Sequence, residues 1–288
     1  MKFLFKDTDY NKTIELAKKL TDKYDKPVIF HCYWYGDLNE KHLYSVRSCY
    51  YWNALNRNHK IILWLENNTP NDINKEISKY CEIKYFDFNI EKQTLNYARD
   101  IKFKHDKRDL TEYADFIRLI LLYNYGGCWF DLDCFFLRSL DPIFKNYEKE
   151  ICAYQWEYNG YPNNAILISL EPRSSNMKNS IDFFHNQNTG WRTQHNCTYS
   201  SPLDWLVLPC SWFDPDWIEN PYNKMRPTWN NRLADIRQTS FFKKTEKKYT
   251  FDNFFNGVFC YHWHNKWKLP IEDNSIIKQL TQLFSDKS

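Results

Sequence analysis

The chain has 288 residues, enough to bury a sizeable core in one α/β domain with an elaborated C-terminal half. Its 39 basic and 36 acidic residues leave a formal charge of +3, without the basic excess that drives binding to a nucleic-acid backbone, so no nucleic-acid partner is expected. No run of about 18 apolar residues occurs, so no transmembrane segment is expected, and the apolar part of the opening MKFLFKDTDYNK is too short for a signal peptide.

Asn11 to Tyr24 has the spacing of an amphipathic helix, with Ile14, Leu16, Ala17 and Leu20 at the apolar positions. Pro27 introduces Val28 to Tyr33, which reads as a first parallel strand. The next segment, Trp34-Tyr35-Gly36-Asp37, falls where open α/β sheets bind ligands, beyond the carboxyl end of a strand. Leu43 to Leu55 repeats at helical spacing, His59 to Leu65 supplies a second strand, Ile73 to Tyr80 a short helix and Ile83 to Phe88 a third strand. That is the βαβαβ order of a nucleotide-binding half. It contains no Gly-x-Gly-x-x-Gly and no phosphate-loop lysine motif, so a metal rather than a glycine cradle would have to hold a diphosphate. Glu91 to Asp109 is polar and leads, as helix or loop, into the next element.

Thr111, with Glu112 in the first turn, reads as the cap of a helix. That helix carries Tyr113, Phe116, Ile117, Ile120, Leu121 and Tyr123 to Tyr125 at roughly helical spacing up to Gly126-Gly127. Asp115 and Arg118 stand i and i+3 on it, close enough to serve one ligand or to pair with each other. The glycines open into Cys128-Trp129-Phe130-Asp131-Leu132-Asp133, an apolar strand ending in two carboxylates. Residues i and i+2 of a strand share a face, so Asp131 and Asp133 can address one divalent cation.

As a whole, Thr111 to Leu140 resembles the sugar-nucleotide motif of glycosyltransferases with the GT-A fold. The likeness is to the group that includes the large clostridial glucosylating toxins, yeast initiating mannosyltransferases and alpha-1,4-galactosyltransferases. In that group a helix bearing Asp and Arg leads to Gly-Gly, an aromatic residue and Asp-x-Asp. The resemblance implies a Rossmann-like mixed sheet flanked by helices, in a single catalytic domain over residues 1–288. Residues 1–140 would mainly bind nucleotide sugar and metal, and residues 141–288 would complete the metal and acceptor site. It further implies that Trp34 or Tyr35 stacks on the donor base and that Asp115 and Arg118 bind donor sugar hydroxyls. Asp133 would be a direct metal ligand, while Asp131 would contact the donor ribose or sugar and the metal's water shell.

Beyond the motif, Leu137 to Pro142 resembles the family's turn after the Asp-x-Asp strand, with Pro142 stopping any extension. Ile151 to Trp156 and Ala165 to Leu170 read as strands, and residues 174–185 as a helix. Asn163-Asn164 is either a turn pair or, as in related enzymes, the place where an asparagine, here Asn164, lines the sugar pocket. Ser200 to Leu203 falls where relatives often carry Gly-Pro, but the glycine is missing. Cys210 to Asn231 reads as a loop over an acceptor site or as a structural excursion. Gly257 to Trp267 is similar to the family's C-terminal histidine segment. There His262 aligns as a third protein ligand, with His264 as competitor; Lys266 would neutralise diphosphate charge and Trp267 would shield the pocket. Imidazole beside carboxylates and phosphate oxygens suits Mn2+ better than Mg2+, so Mn2+ is the expected ion and Mg2+ the alternative.

The activity implied is a metal-dependent, retaining transfer of a hexose from a nucleotide diphosphate sugar, UDP-glucose or UDP-galactose favoured. The acceptor would be a hydroxyl of a glycan, polysaccharide or glycolipid. A toxin-like transferase acting on a protein hydroxyl would share the core motif. A non-catalytic carbohydrate-binding module would share the surplus of 12 Trp and 21 Tyr but would not need a diphosphate centre. A metal-dependent hydrolase would also use paired aspartates, yet leaves the Asp/Arg helix unexplained. The 9 cysteines, with no Cys-x-x-Cys pair, read as buried thiols of a reducing compartment, hence a cytoplasmic location. Basic runs at 102–108 and 243–248 leave room for peripheral membrane association.

Overall fold

The computed structural model describes residues 1–4, 9–103, 109–156, 161–186, 202–217 and 232–284. A short strand β1 (Lys2–Phe3) precedes helix α1 (Tyr10–Lys19), whose start is capped by the Asp9 carboxylate accepting from the Lys12 amide at 3.1 Å. The helix stops well short of Tyr24, because Leu20 turns extended and its N–H donates back to the Ala17 carbonyl. Next come β2 (Ile29–Tyr35), α2 (Glu40–Cys49), a π-helical turn Tyr50–Ala54, β3 (Lys60–Glu66), α3 (Asp72–Ile77) and β4 (Glu82–Tyr85). β2 pairs with β3 and β3 with β4 in parallel, so the expected βαβαβ half is present. A single turn α4 (Phe88–Glu91) leads toward the long helix α5 (Asp109–Tyr125) and β5 (Gly127–Phe130).

The remaining elements are β6 (Cys134–Phe136), α6 (Asp141–Asn146), β7 (Ile151–Trp156), β8 (Tyr161–Ser169), α7 (Ser175–His185), β9 (Trp205–Leu208), α8 (Arg232–Ser240), β10 (Cys260–His262) and α9 (Ile276–Gln282). Eight strands form one mixed sheet in the order β1-β9-β7-β8-β5-β2-β3-β4. Within it β8 runs antiparallel to both neighbours, and the other pairings are parallel. Period-2 alternation divides the core: Ile61, Leu63 and Leu65 of β3 join one buried cluster, while Ile62 and Trp64 join the cluster that includes α5 residues. A second sheet of two short strands pairs β6 with β10, antiparallel, placing His262 opposite Cys134. Among the described residues no helix is long and apolar enough to cross a membrane.

Four local expectations are corrected. α5 already has helical backbone at Asp109 and Leu110, so Thr111 sits inside the first turn rather than capping it. β5 ends at Phe130, and the chain then turns, with the Cys134 N–H donating to the Asp131 carbonyl at 3.0 Å. Asp131 and Asp133 therefore belong to the turn that carries the chain from the large sheet to the small one, and strand alternation does not set their directions. Pro142 opens α6, where its missing N–H has no helical partner to lose. Asn163 and Asn164 lie within β8 rather than in a turn before it. Ser200, Ser201 and residues 218–231 lie outside the described residues.

Candidate active site

The carboxyl ends of the parallel strands β2 and β5 lie side by side, and antiparallel β8 enters the sheet at the same edge, with Ile166 paired to Phe130. Loops from all three thus converge there, the position at which open α/β sheets bind ligands. A cleft of about 640 Å³ opens at this edge. Its walls bring together Trp34, Tyr35, Asp115, Arg118, Asp131, Asp133, Asn164, His262, Lys266 and Trp267, along with His264.

The Gly126-Gly127 pair delivers α5 and β5 to this edge. Both residues have left-handed φ (66° and 113°), and a Cβ on Gly127 would stand 2.1 Å from the Ile29 carbonyl oxygen. On Gly126 it would meet the Leu170 carbonyl at 2.4 Å. Only glycine fits both backbone angle and space. Along one wall, Asp115 and Arg118 are both pair and ligand-facing group. Arg118 Nε lies 3.3 Å from Asp115 Oδ1 and Nη1 lies 3.4 Å from Asp131 Oδ1. The same Nη1 donates to the backbone oxygen and Oδ1 of Asn164, each at 2.7 Å, and Asn164 Nδ2 donates to Asp115 at 3.1 Å. Trp129 lies under the guanidinium, 5.2 Å away, and its indole N–H donates to Asp131 Oδ1 at 2.7 Å.

On the opposite wall, the β6–β10 pairing brings the C-terminal histidine to the acidic turn. His262 Nε2 is 3.2 Å from Asp133 Oδ1, and the Asn265 amide donates to Asp133 Oδ2 at 2.9 Å. Burial opposes charge on Asp133, but His262 beside it holds the carboxyl at about 2. Burial likewise disfavours an imidazolium at His262, yet Asp133 and Asp214 on its two sides raise its pKa well above the usual imidazole value. In the third corner, Trp34 packs against Trp267 at 4.7 Å and against His42 at 4.2 Å, and donates its indole N–H to the Asp37 carbonyl at 3.0 Å. Lys41 Nζ, buried below, donates to the Lys266 carbonyl and sits 3.9 Å over the Phe242 ring. Its burial lowers the ammonium pKa to about 8.

Sequence reasoning missed Asp214 and Tyr154. Asp214 is fully buried; its Oδ2 is 2.7 Å from His264 Nε2 and 3.7 Å from His262 Nδ1. Tyr154 Oη is 2.8 Å from His262 Nδ1. Asp214 lies between two short 3-10 turns, Cys210–Trp212 and Pro215–Trp217, where no periodicity signals a buried carboxylate.

The residues present fit a divalent cation. Asp133 and His262 offer oxygen and nitrogen donors, Asp131 stands beside them, and the buried Asp214 Oδ1 has no hydrogen-bond partner among the described residues. Cys134 lies close enough to join, but burial pushes its thiol pKa far up, so it stays protonated and is a poor ligand. A buried imidazolium between carboxylates is the charge arrangement that a cation replaces with release of a proton.

Residues 42–150 match the family described as "Glycosyltransferase sugar-binding region containing DXD motif", a stretch that includes Asp115, Arg118, Asp131 and Asp133. Several solved structures are similar at low identity. PaToxG glycosyltransferase is 14% identical over 64% of this chain and 71% of its own, with a TM-score of 0.39. The apo WbbM bifunctional glycosyltransferase is 9% identical over 67% of this chain, which spans only 40% of WbbM, with a TM-score of 0.45. Apo mouse xyloside xylosyltransferase 1 is 13% identical over 85% of this chain and 100% of its own, with a TM-score of 0.43. No curated protein matches the chain. Residues 42–150 thus match the DXD-containing sugar-binding region of glycosyltransferases, and the sheet that carries them has the Rossmann-like GT-A type of α/β fold.

Proposed function

We propose that the chain is a metal-dependent glycosyltransferase that moves a hexose from a nucleotide diphosphate sugar to a hydroxyl of a glycan, polysaccharide or glycolipid, with retention of the anomeric configuration. UDP-glucose or UDP-galactose is the favoured donor. The observation that carries the reading is the meeting of Asp133 and His262, 3.2 Å apart, in a cleft at the carboxyl ends of nucleotide-type parallel strands. A divalent cation bound there, Mn2+ favoured and Mg2+ the alternative, would supply the positive charge that a diphosphate leaving group needs.

The chain's own residues divide the remaining work. Asp133 and His262 hold the cation, with Asp131 beside them. Asp115, Arg118 and Asn164 form a mutually hydrogen-bonded polar wall against which sugar hydroxyls are oriented. Trp34 or Tyr35 receives the base at the end of β2, and Lys266 and Trp267 close the diphosphate side. Residues 1–140 then serve mainly the donor, while the C-terminal half completes the cation site and the acceptor side within a single catalytic domain. Retention and donor identity rest on the sequence resemblance. The free thiols of the 8 described cysteines agree with a reducing, cytoplasmic setting.

Calorimetric titration of UDP- and GDP-sugars with Mn2+, with Mg2+ and with chelator tests the reading. Manganese-dependent binding of one donor is expected. Failure to bind any nucleotide sugar with either ion would overturn it.

A further inference from the structure

We propose that Asp214 is a positioning residue that fixes, from behind, both groups that define the cation site: the His262 ring and the turn whose amide holds Asp133. The inference deepens the metal-dependent reading and rests on it.

The geometry of His262 leads to it. Its Nε2 points to Asp133 Oδ1 at 3.2 Å, while its Nδ1 lies 2.8 Å from Tyr154 Oη and 3.7 Å from Asp214 Oδ2. One imidazole cannot give both nitrogens to the same ion. The Nε2 side belongs to the cleft, where Asp131 and Asp133 also stand, whereas the Asp214 side is closed, with Asp214 at 0% exposure. A cation in the cleft therefore takes Nε2, and the ring proton must then reside on Nδ1. Which nitrogen of a ligating histidine carries the proton is set by the group facing the other one. Here the nearest group is the Tyr154 hydroxyl at 2.8 Å, with the buried Asp214 carboxylate next at 3.7 Å, its charge favouring a proton on that side of the ring.

The second connection runs through His264. Its Nε2 lies 2.7 Å from Asp214 Oδ2, and its ring stacks on His262 with centroids 3.8 Å apart. His264 and Asn265 both adopt left-handed φ, 45° and 57°, a region that histidine and asparagine enter more readily than most residues with side chains, and together they make a tight turn. That turn places the Asn265 amide 2.9 Å from Asp133 Oδ2 and leaves Oδ1 directed at His262 and the cleft. The same carboxylate thus stands behind the ring of one ligand and, through His264, whose Nε2 also meets the Trp217 indole N–H at 3.0 Å, braces the turn that orients the other. Asp214 is itself held by its own amide, which donates to the Cys210 carbonyl at 2.8 Å.

Direct ligation by Asp214, through a group of Asp214, His262 and His264, is the competing arrangement. It would use His262 Nδ1, the nitrogen already faced by Tyr154, and the two arrangements give different spectra. The experiment is Mn2+ calorimetry, with Mn2+ electron paramagnetic resonance, on the full chain and on Asp214→Asn. It is joined by nitrogen-15 NMR of the His262 ring in the wild-type chain saturated with Zn2+, a diamagnetic stand-in for Mn2+ that imidazole ligates readily. We expect Asp214→Asn to weaken Mn2+ binding roughly 10–100-fold, the range for losing a carboxylate behind a ligating histidine, while binding persists. We also expect the wild-type ring to carry its proton on Nδ1. Unchanged Mn2+ affinity in folded Asp214→Asn overturns the proposal, and so does a wild-type proton on Nε2 or metal bound through Nδ1. The NMR measurement needs no variant, so metal found bound through Nδ1 overturns the proposal even if Asp214→Asn fails to fold. Absence of Mn2+ and Mg2+ binding by the wild-type chain would instead overturn the metal-dependent reading itself.

Discussion

At the scale of single residues, charge and shape make separable demands in this cleft. Asp133→Asn keeps the shape and an oxygen that can accept from the Asn265 amide, but removes the negative charge beside His262. Metal-dependent transfer should fall by about 100-fold or more while the far-UV circular dichroism stays that of the parent. Normal metal-dependent turnover in the folded variant would show that Asp133 is not a ligand. Arg118 makes the opposite case. It is 5% exposed, and its fork reaches Asn164, Asp115 and Asp131 at once. A lysine has one compact head and cannot span these partners, so Arg118→Lys leaves carboxylates buried without full partners. The expected cost is about 3 kcal/mol of stability, read from urea midpoints, together with weakened donor binding.

At the scale of elements, the helix–glycine–strand unit was legible because each part has a local cause. α5 shows its apolar period, β5 its apolar run, and the glycines between them mark a backbone that nothing else can adopt. Gly127→Ala should therefore destabilise the fold by about 3 kcal/mol or more, since the new Cβ collides with the Ile29 carbonyl and the φ of 113° is strained for alanine. A denaturation midpoint unchanged from the parent would count against this account. The chain beyond β5 was less legible. Asp-x-Asp reads as a strand continuation by alternation alone, and only the departure of β6 into a second sheet makes it a turn. β6 and β10 have 3 residues each, too short for any period to show, yet their pairing is what carries His262 to Asp133. Asp214 had no local signal at all: its meaning lies in contacts with residues about 50 positions away.

At the scale of the whole molecule, the sheet holds a neutral histidine at its centre, and this sets a pH dependence. His31 of β2 is fully buried; its Nε2 donates to the Gly126 carbonyl at 3.0 Å, and its Nδ1 accepts the Trp64 indole N–H at 3.1 Å. The ring thereby ties β2 to β3 and to the α5–β5 junction. Protonating Nδ1 would set a donor against the Trp64 donor, and burial accordingly lowers the His31 pKa to about 4. In the unfolded chain the same ring titrates near about 6.5. Between those values the unfolded state binds the proton and the native state refuses it, so the contribution is complete above about 6.5 and shrinks as pH falls toward 4. At about 1.4 kcal/mol per unit, His31 alone removes roughly 3 kcal/mol over that window. His42, lowered by burial to about 3, acts in the same sense. His262, raised by its two carboxylates, acts in the opposite sense, its contribution being present below the unfolded value and lost as pH rises. Urea midpoints measured in chelator from pH 7 to 4.5 should therefore fall, and His31→Gln, less stable at neutral pH, should show a shallower fall. An equal slope in parent and variant would mean that the acid sensitivity of the fold does not originate at this ring.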